Sequence, residues 1–154
     1  MTRTWWLLLV AAAGGCNEYH AGSFTSIRDR WPGERVALPC FDVAVAAHRE
    51  PGVDGPVVRY SFGNRCEHDA TLDLAAAHVV ARDVDGREQA LDVVDPGGEL
   101  HAVAVPARVW GSEQLSYAPA RGAAVAQLCV DVGALERAGD AAPRWLCSAL
   151  EGAR

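Results

Sequence analysis

From residue 36 onward, apolar and polar positions alternate in short runs, and Gly, Pro or Asp closes each run. A period of two places alternate side chains on opposite faces, so this pattern predicts β-strands. Residues 36–45 read as one strand, with Phe41, Val43 and Val45 alternating against Cys40, Asp42 and Ala44. The turn cluster PGVDGP at 51–56 separates it from residues 57–62. There Val58, Tyr60 and Phe62 share one side, and Arg59 and Ser61 the other, with Arg59 and Arg65 expected on a wet outer face. A short strand is expected at 71–74. Residues 78–84 and 89–94 flank Asp85-Gly86, a strong hairpin signal. Asp95-Pro96-Gly97-Gly98 marks the next turn, and residues 100–105 alternate again. A weak strand at 115–118, a strong one at 123–132 and a last one at 145–150 complete the chain. Residues 133–139 are expected to form one or two helical turns, and the Ala-rich run 74–81 is also compatible with helix.

Seven or eight short strands with regular turn punctuation predict an all-β fold. The expected architecture is an antiparallel, immunoglobulin-like β-sandwich rather than a barrel. The Cys…Trp…Cys spacing of true immunoglobulin domains is absent from the sequence, so this expectation rests on architecture alone. The domain is expected to span residues 36–154. Residues 17–35 show no period and read as a tether, with Pro32-Gly33 as the boundary signal. Phe24, Ile27 and Trp31 are its apolar exceptions, suited to docking on the domain.

The N-terminus has a different character. Arg3 lies in a short positive region, residues 5–13 are apolar, and small residues precede Cys16. This is the layout of an export signal. A nine-residue helix spans about 14 Å against about 30 Å of bilayer core, so the run is too short to remain as an anchor. Ala13-Gly14-Gly15 before Cys16 resembles the lipobox of bacterial lipoproteins, although Ala13 stands where that family prefers Leu. The resemblance covers the leader only. It implies cleavage by signal peptidase II before Cys16, removal of residues 1–15 as a signal peptide, and diacylglycerol on the Cys16 thiol. Residues 16–35 then form the lipidated Cys and its tether. Asn17 rather than Asp after the Cys resembles the outer-membrane sorting pattern of enteric lipoproteins. The expected location is therefore the bacterial cell envelope, lipid-anchored at the outer membrane. An ordinary secretory signal cut after Ala13 is the alternative.

The cysteine count fits export. Of five cysteines, assigning Cys16 to the lipid leaves Cys40, Cys66, Cys129 and Cys147, enough for two disulfides in an oxidising compartment. Four cysteines allow three pairings. Hairpins turning near 47–56 and near Ala138 favour Cys40–Cys66 and Cys129–Cys147. Side-chain parity argues against the first bridge, because Cys66 shares a face with Tyr60 and Phe62 while Cys40 sits opposite Phe41. A bulge at Gly63 would reconcile them.

Composition narrows the function. The chain has 154 residues, half of them hydrophobic, and a formal net charge of −6. Removing residues 1–15 takes away Arg3 and no acid, so the mature chain is one unit more negative. An acidic chain lacks the basic face that nucleic acid requires. Among ligand-type residues, Glu67, His68, Asp69, Asp73 and His78 are the densest set, and His68, Asp69, Asp73 and His78 are the metal candidates. Adjacent strand residues face opposite ways, which hinders His68 and Asp69 from sharing an ion. Asp83, Asp85 and Glu88 read as turn chemistry, since no D-x-D-x-D-G loop is present. Ser61, Ser112 and Ser116 lack a G-x-S-x-G context, so no catalytic residue is assigned. Trp110, Tyr117 and Trp145 are the large aromatics outside the early strands. Trp110-Gly111, at a strand-to-loop junction, suits core or edge packing first and a surface for sugar or peptide second. The favoured reading is a non-catalytic binding or structural module without a cofactor. It is held to the membrane by its lipid and meets an envelope protein or polysaccharide. The alternative is a small envelope enzyme or metal-dependent binding protein using the His68 region.

Overall fold

The computed structural model describes residues 31–94, 102–121, 125–136 and 142–150. The signal region, Cys16, Phe24, Ile27 and the expected turn at 95–98 lie outside the described residues. Ten strands form three antiparallel sheets among the described residues. The first sheet has the order β1-β2-β3-β8, from Glu34–Ala37, Phe41–Arg49, Pro56–Asn64 and Trp110–Ser116. The second has the order β10-β9-β5-β6, from Trp145–Ala149, Val125–Asp131, His78–Asp83 and Glu88–Leu91. A two-stranded ribbon pairs β4 (Ala70–Asp73) with β7 (Ala102–Val105). The protein is an all-β, antiparallel sandwich carrying two disulfides.

Alternation explains the core. Phe41, Val43, Val45, Val58, Tyr60 and Phe62 line the inner face of the first sheet. Val79, Ala81, Leu91, Leu128 and Val130 oppose them from the second. Leu72, Leu74, Val105, Val132 and Leu135 extend this core along the ribbon and its flanking turns. Within it the Tyr60 and Tyr117 hydroxyls meet at 2.7 Å. Burial holds both phenols protonated to high pH, with Tyr60 well above its ordinary range and Tyr117 pushed up to about 12.

Several elements differ from the sequence expectation. Residues 36–45 belong to two strands rather than one. Pro39 lacks the N–H a continuous ladder needs, and the chain turns there, with the Leu38 N–H donating to the Phe41 carbonyl. β1 begins at Glu34, ahead of the expected boundary, and Trp31 before it is only 1% exposed. The Ala-rich run forms a single 3-10 turn, Leu74–Ala76, capped by the Asp73 carboxylate, and then enters β5. A second short turn, Val132–Leu135, stands where helical turns were expected, and residues 137–139 lie outside the described residues. β8 starts at Trp110, well before the expected strand at 115. Its Gly111 lies against Phe62, whose ring would be 3.1 Å from an added Cβ, so glycine lets the two strands close.

The outer face of the first sheet is not the wet surface expected from Arg59 and Arg65. Ala44, Val57, Ser61 and Asp42 point away from the core yet are buried. Trp31, Ala44 and Val57 are buried hydrophobic residues outside the main core. Arg65 lies beyond β3 and pairs with Asp42 at 3.5 Å.

Candidate functional site

A cleft of about 440 Å³ opens beside the second sheet. That volume falls within the roughly 300–1,000 Å³ of small-ligand sites. Its floor is apolar, from Leu74, Val79 and Leu91, and its rim carries the exposed side chains of His78, Asp92 and Trp145. The register sets the rim. Trp145 pairs with Asp131, which pairs on its other side with His78, so the indole and the imidazole flank one carboxylate row. Asp131 Oδ1 accepts hydrogen bonds from the Gly133 N–H at 3.0 Å and the Arg144 N–H at 2.8 Å. These bonds close the connection into β10 and fix the backbone directly before Trp145. Gly133 is required there, because an added Cβ would lie 2.8 Å from the Ala142 carbonyl oxygen. Trp145 remains 46% exposed, so its indole is open to solvent at the rim of the cleft.

The opposite chemistry gathers where β2 begins and β3 ends. Cys40 and Cys66 form a disulfide there, and His68 Nε2 lies 3.9 Å from Cys40 Sγ. Asn64, fully buried, donates from Nδ2 to the carbonyls of His68, Val105 and Pro106, and its Oδ1 accepts from the Cys66 N–H at 2.9 Å. Glu136 Oε1 accepts from the Cys40 N–H at 2.7 Å. Its Oε2 is buried with no hydrogen-bond partner among the described residues. Burial raises the Glu136 carboxyl above its ordinary range, while the Cys40 N–H and the Arg65 guanidinium pull the other way. Glu136 was not anticipated from sequence. It stands 96 residues from Cys40, and no local pattern marks it.

The cysteines pair as the hairpins suggested, Cys40 with Cys66 and Cys129 with Cys147. Cys129 and Cys147 are direct partners across β9 and β10. The first bridge needs no bulge at Gly63, since β2 and β3 pair without a register shift from Phe41–Asn64 to Arg49–Pro56. Both cysteines lie just beyond the ladder, so its parity does not bind them.

The four metal candidates are not brought together. Among the described residues, the grouping of three ligand-type side chains with atoms within 4.8 Å is Cys40, Cys66 and His68. Asp69 accepts from the Ala107 N–H, Asp73 is buried and caps its 3-10 turn, and His78 stands on the second sheet at the cleft rim. Asp83 accepts from the N–H groups of Asp85 and Arg87, and Arg87 and Arg82 pair with Asp85 and Glu88, which is turn chemistry with surface ion pairs.

The fold has a solved counterpart. The yjhA protein from Bacillus subtilis is similar in structure, with a TM-score of 0.52 and 14% identity. The match covers 77% of this chain and 97% of that one. At that identity the likeness concerns the fold alone. No protein-family model matches the chain, and no curated protein matches it.

Proposed function

We propose that the protein is a lipid-anchored module of the bacterial cell envelope, held at the outer membrane through Cys16, which binds a saccharide segment of an envelope polymer. The observation carrying the binding reading is the cleft rimmed by Trp145, His78 and Asp92. An exposed indole stacks on the apolar face of a sugar ring, and flanking carboxylate and imidazole groups bond its hydroxyls. The anchoring reading is supported by the leader, in which small residues precede Cys16.

Soluble envelope-polysaccharide fragments titrated into the purified protein are expected to shift its tryptophan fluorescence saturably. Trp145→Ala should weaken that binding at least tenfold, whereas Trp110→Ala should leave it unchanged. Fragments that fail to bind, or that bind the Trp145→Ala protein equally well, refute the saccharide reading. The anchor is tested separately by the intact mass of the membrane-extracted protein. A chain beginning at Cys16 with added acyl mass is expected. A lipid-free chain cut after Ala13 would overturn it.

A further inference from the structure

We infer that Cys40, Cys66 and His68 form a zinc site that reduction of the Cys40–Cys66 disulfide unmasks. The three donor atoms already lie within 4.8 Å of one another. A tetrahedral zinc with sulfur and nitrogen ligands places its donors about 3.5–3.8 Å apart. His68 Nε2 stands 3.9 Å from Cys40 Sγ, close to that spacing, and breaking the bridge frees the two sulfurs to separate into it.

The backbone at all three ligands is fixed by contacts other than the disulfide. The Arg65 N–H donates to the Cys40 carbonyl at 2.8 Å, directly across the bridge. Glu136 holds the Cys40 N–H, and Asn64 holds both the Cys66 N–H and the His68 carbonyl. Two cysteines and a histidine therefore stay preorganised after reduction. Thiolate and imidazole are the ligands borderline-soft zinc selects, and three of them leave the fourth position to solvent. The other bridge lacks this setting. Cys129 is 1% exposed, and no imidazole joins it among the described residues.

The chemistry balances with a dithiol as reductant. One thiolate of the dithiol attacks a bridge sulfur, and the resulting mixed disulfide is resolved by the second thiol. The S–S bond of the protein receives two electrons and two protons, and the dithiol leaves as its own disulfide. Zinc then displaces both thiol protons and takes a lone pair from the His68 imidazole. In the oxidised protein the sulfurs are bonded to each other and bind metal weakly.

The test uses the purified protein before and after a phosphine reductant, with Co²⁺ as a spectroscopic probe and Zn²⁺ as competitor. The oxidised protein is expected to show no thiolate-to-cobalt charge-transfer band. The reduced, folded protein should bind one Co²⁺ per chain with that band, and Zn²⁺ should displace it. His68→Ala should weaken binding at least tenfold, and replacing Cys40 and Cys66 by Ser should abolish it. Peptide-resolved alkylation supplies a readout that needs no variant to fold. Zn²⁺ should protect Cys40 and Cys66 of the reduced wild type, but not Cys129 and Cys147. A folded, reduced protein without the band overturns the site, as does binding indifferent to His68→Ala. Protection of the other cysteine pair, or loss of the folded circular-dichroism signal on reduction alone, overturns it equally.

Discussion

The Tyr60–Tyr117 pair offers the sharpest test of the core. Both rings are essentially inaccessible, at 0% and 2% exposure, and each hydroxyl satisfies the other across 2.7 Å. Tyr60→Phe removes one oxygen and leaves the Tyr117 hydroxyl buried without its partner. Losing one member of a buried polar pair costs about 1–3 kcal/mol. Tyr117→Phe should cost a similar amount for the same reason. Replacing both removes the orphan, so the double variant should lose much less than the sum of the singles. The expected coupling is about 1–2 kcal/mol in favour of the pair. For a domain of this size, each kcal/mol moves Tm by roughly 3–5 °C, so the single variants should melt visibly early. The assay is thermal and urea unfolding by circular dichroism with both disulfides intact. Strict additivity of the two substitutions would refute the hydrogen bond as the interaction that matters. Singles within about 0.5 kcal/mol of wild type would show that the orphaned hydroxyl finds another partner, such as water.

The same pair predicts alkaline sensitivity. Each phenol has a folded pKa above its unfolded value near 10, so its stabilising contribution is complete below pH 10. The Tyr117 contribution is lost as pH rises from 10 towards about 12 and that of Tyr60 is lost at higher pH in the same direction, the unfolded chain giving up its protons first. Urea midpoints should fall steeply across that window, and the Tyr60→Phe/Tyr117→Phe protein should fall less. Glu136 has a raised carboxyl pKa, so its contribution falls as pH rises through and beyond the ordinary carboxylate range; Glu136→Gln should flatten that part of the profile while keeping the acceptor for Cys40. Breaking Cys129–Cys147, which closes a loop of sequence separation 18, should cost about 3 kcal/mol in the chain-entropy account, measured as a lower urea midpoint. Trp31→Ala should destabilise by about 3–5 kcal/mol if the buried indole is as well packed as its exposure implies; a loss below 1 kcal/mol would mean the domain begins only at β1.

Much of the fold was legible because strand pairing leaves a local trace. Phe41, Val43 and Val45 announced an inner face, and Val58, Tyr60 and Phe62 its partner. Two hairpin centres then favoured, among three open pairings, the one the cysteines adopt. What escaped notice was structure with no local trace. β8 reads as polar because it is a mostly exposed strand, and its glycine looks like a breaker until the Phe62 ring is placed against it. The first strand reads as one with the second because residues 36–41 are all apolar and nothing polar interrupts the run at Pro39, although the ladder breaks there.

The parity objection to Cys40–Cys66 fails for a related reason. Alternation assigns faces only while a ladder holds the pleat, and here pairing ends at Phe41 and Asn64. One residue beyond, the backbone is set by Arg65, Glu136 and Asn64 through hydrogen bonds that no period predicts. The ligand-type residues that looked densest in sequence, from His68 to His78, are therefore dispersed by a ribbon and a 3-10 turn. The cluster that does form joins residues 28 positions apart at Cys40 and His68, and reaches 96 positions to Glu136. Spacing in the chain is a guide to chemistry only within one element. Between elements the guide is which strand ends share a pole of the sandwich, and that follows from the pairing order rather than from the residues themselves.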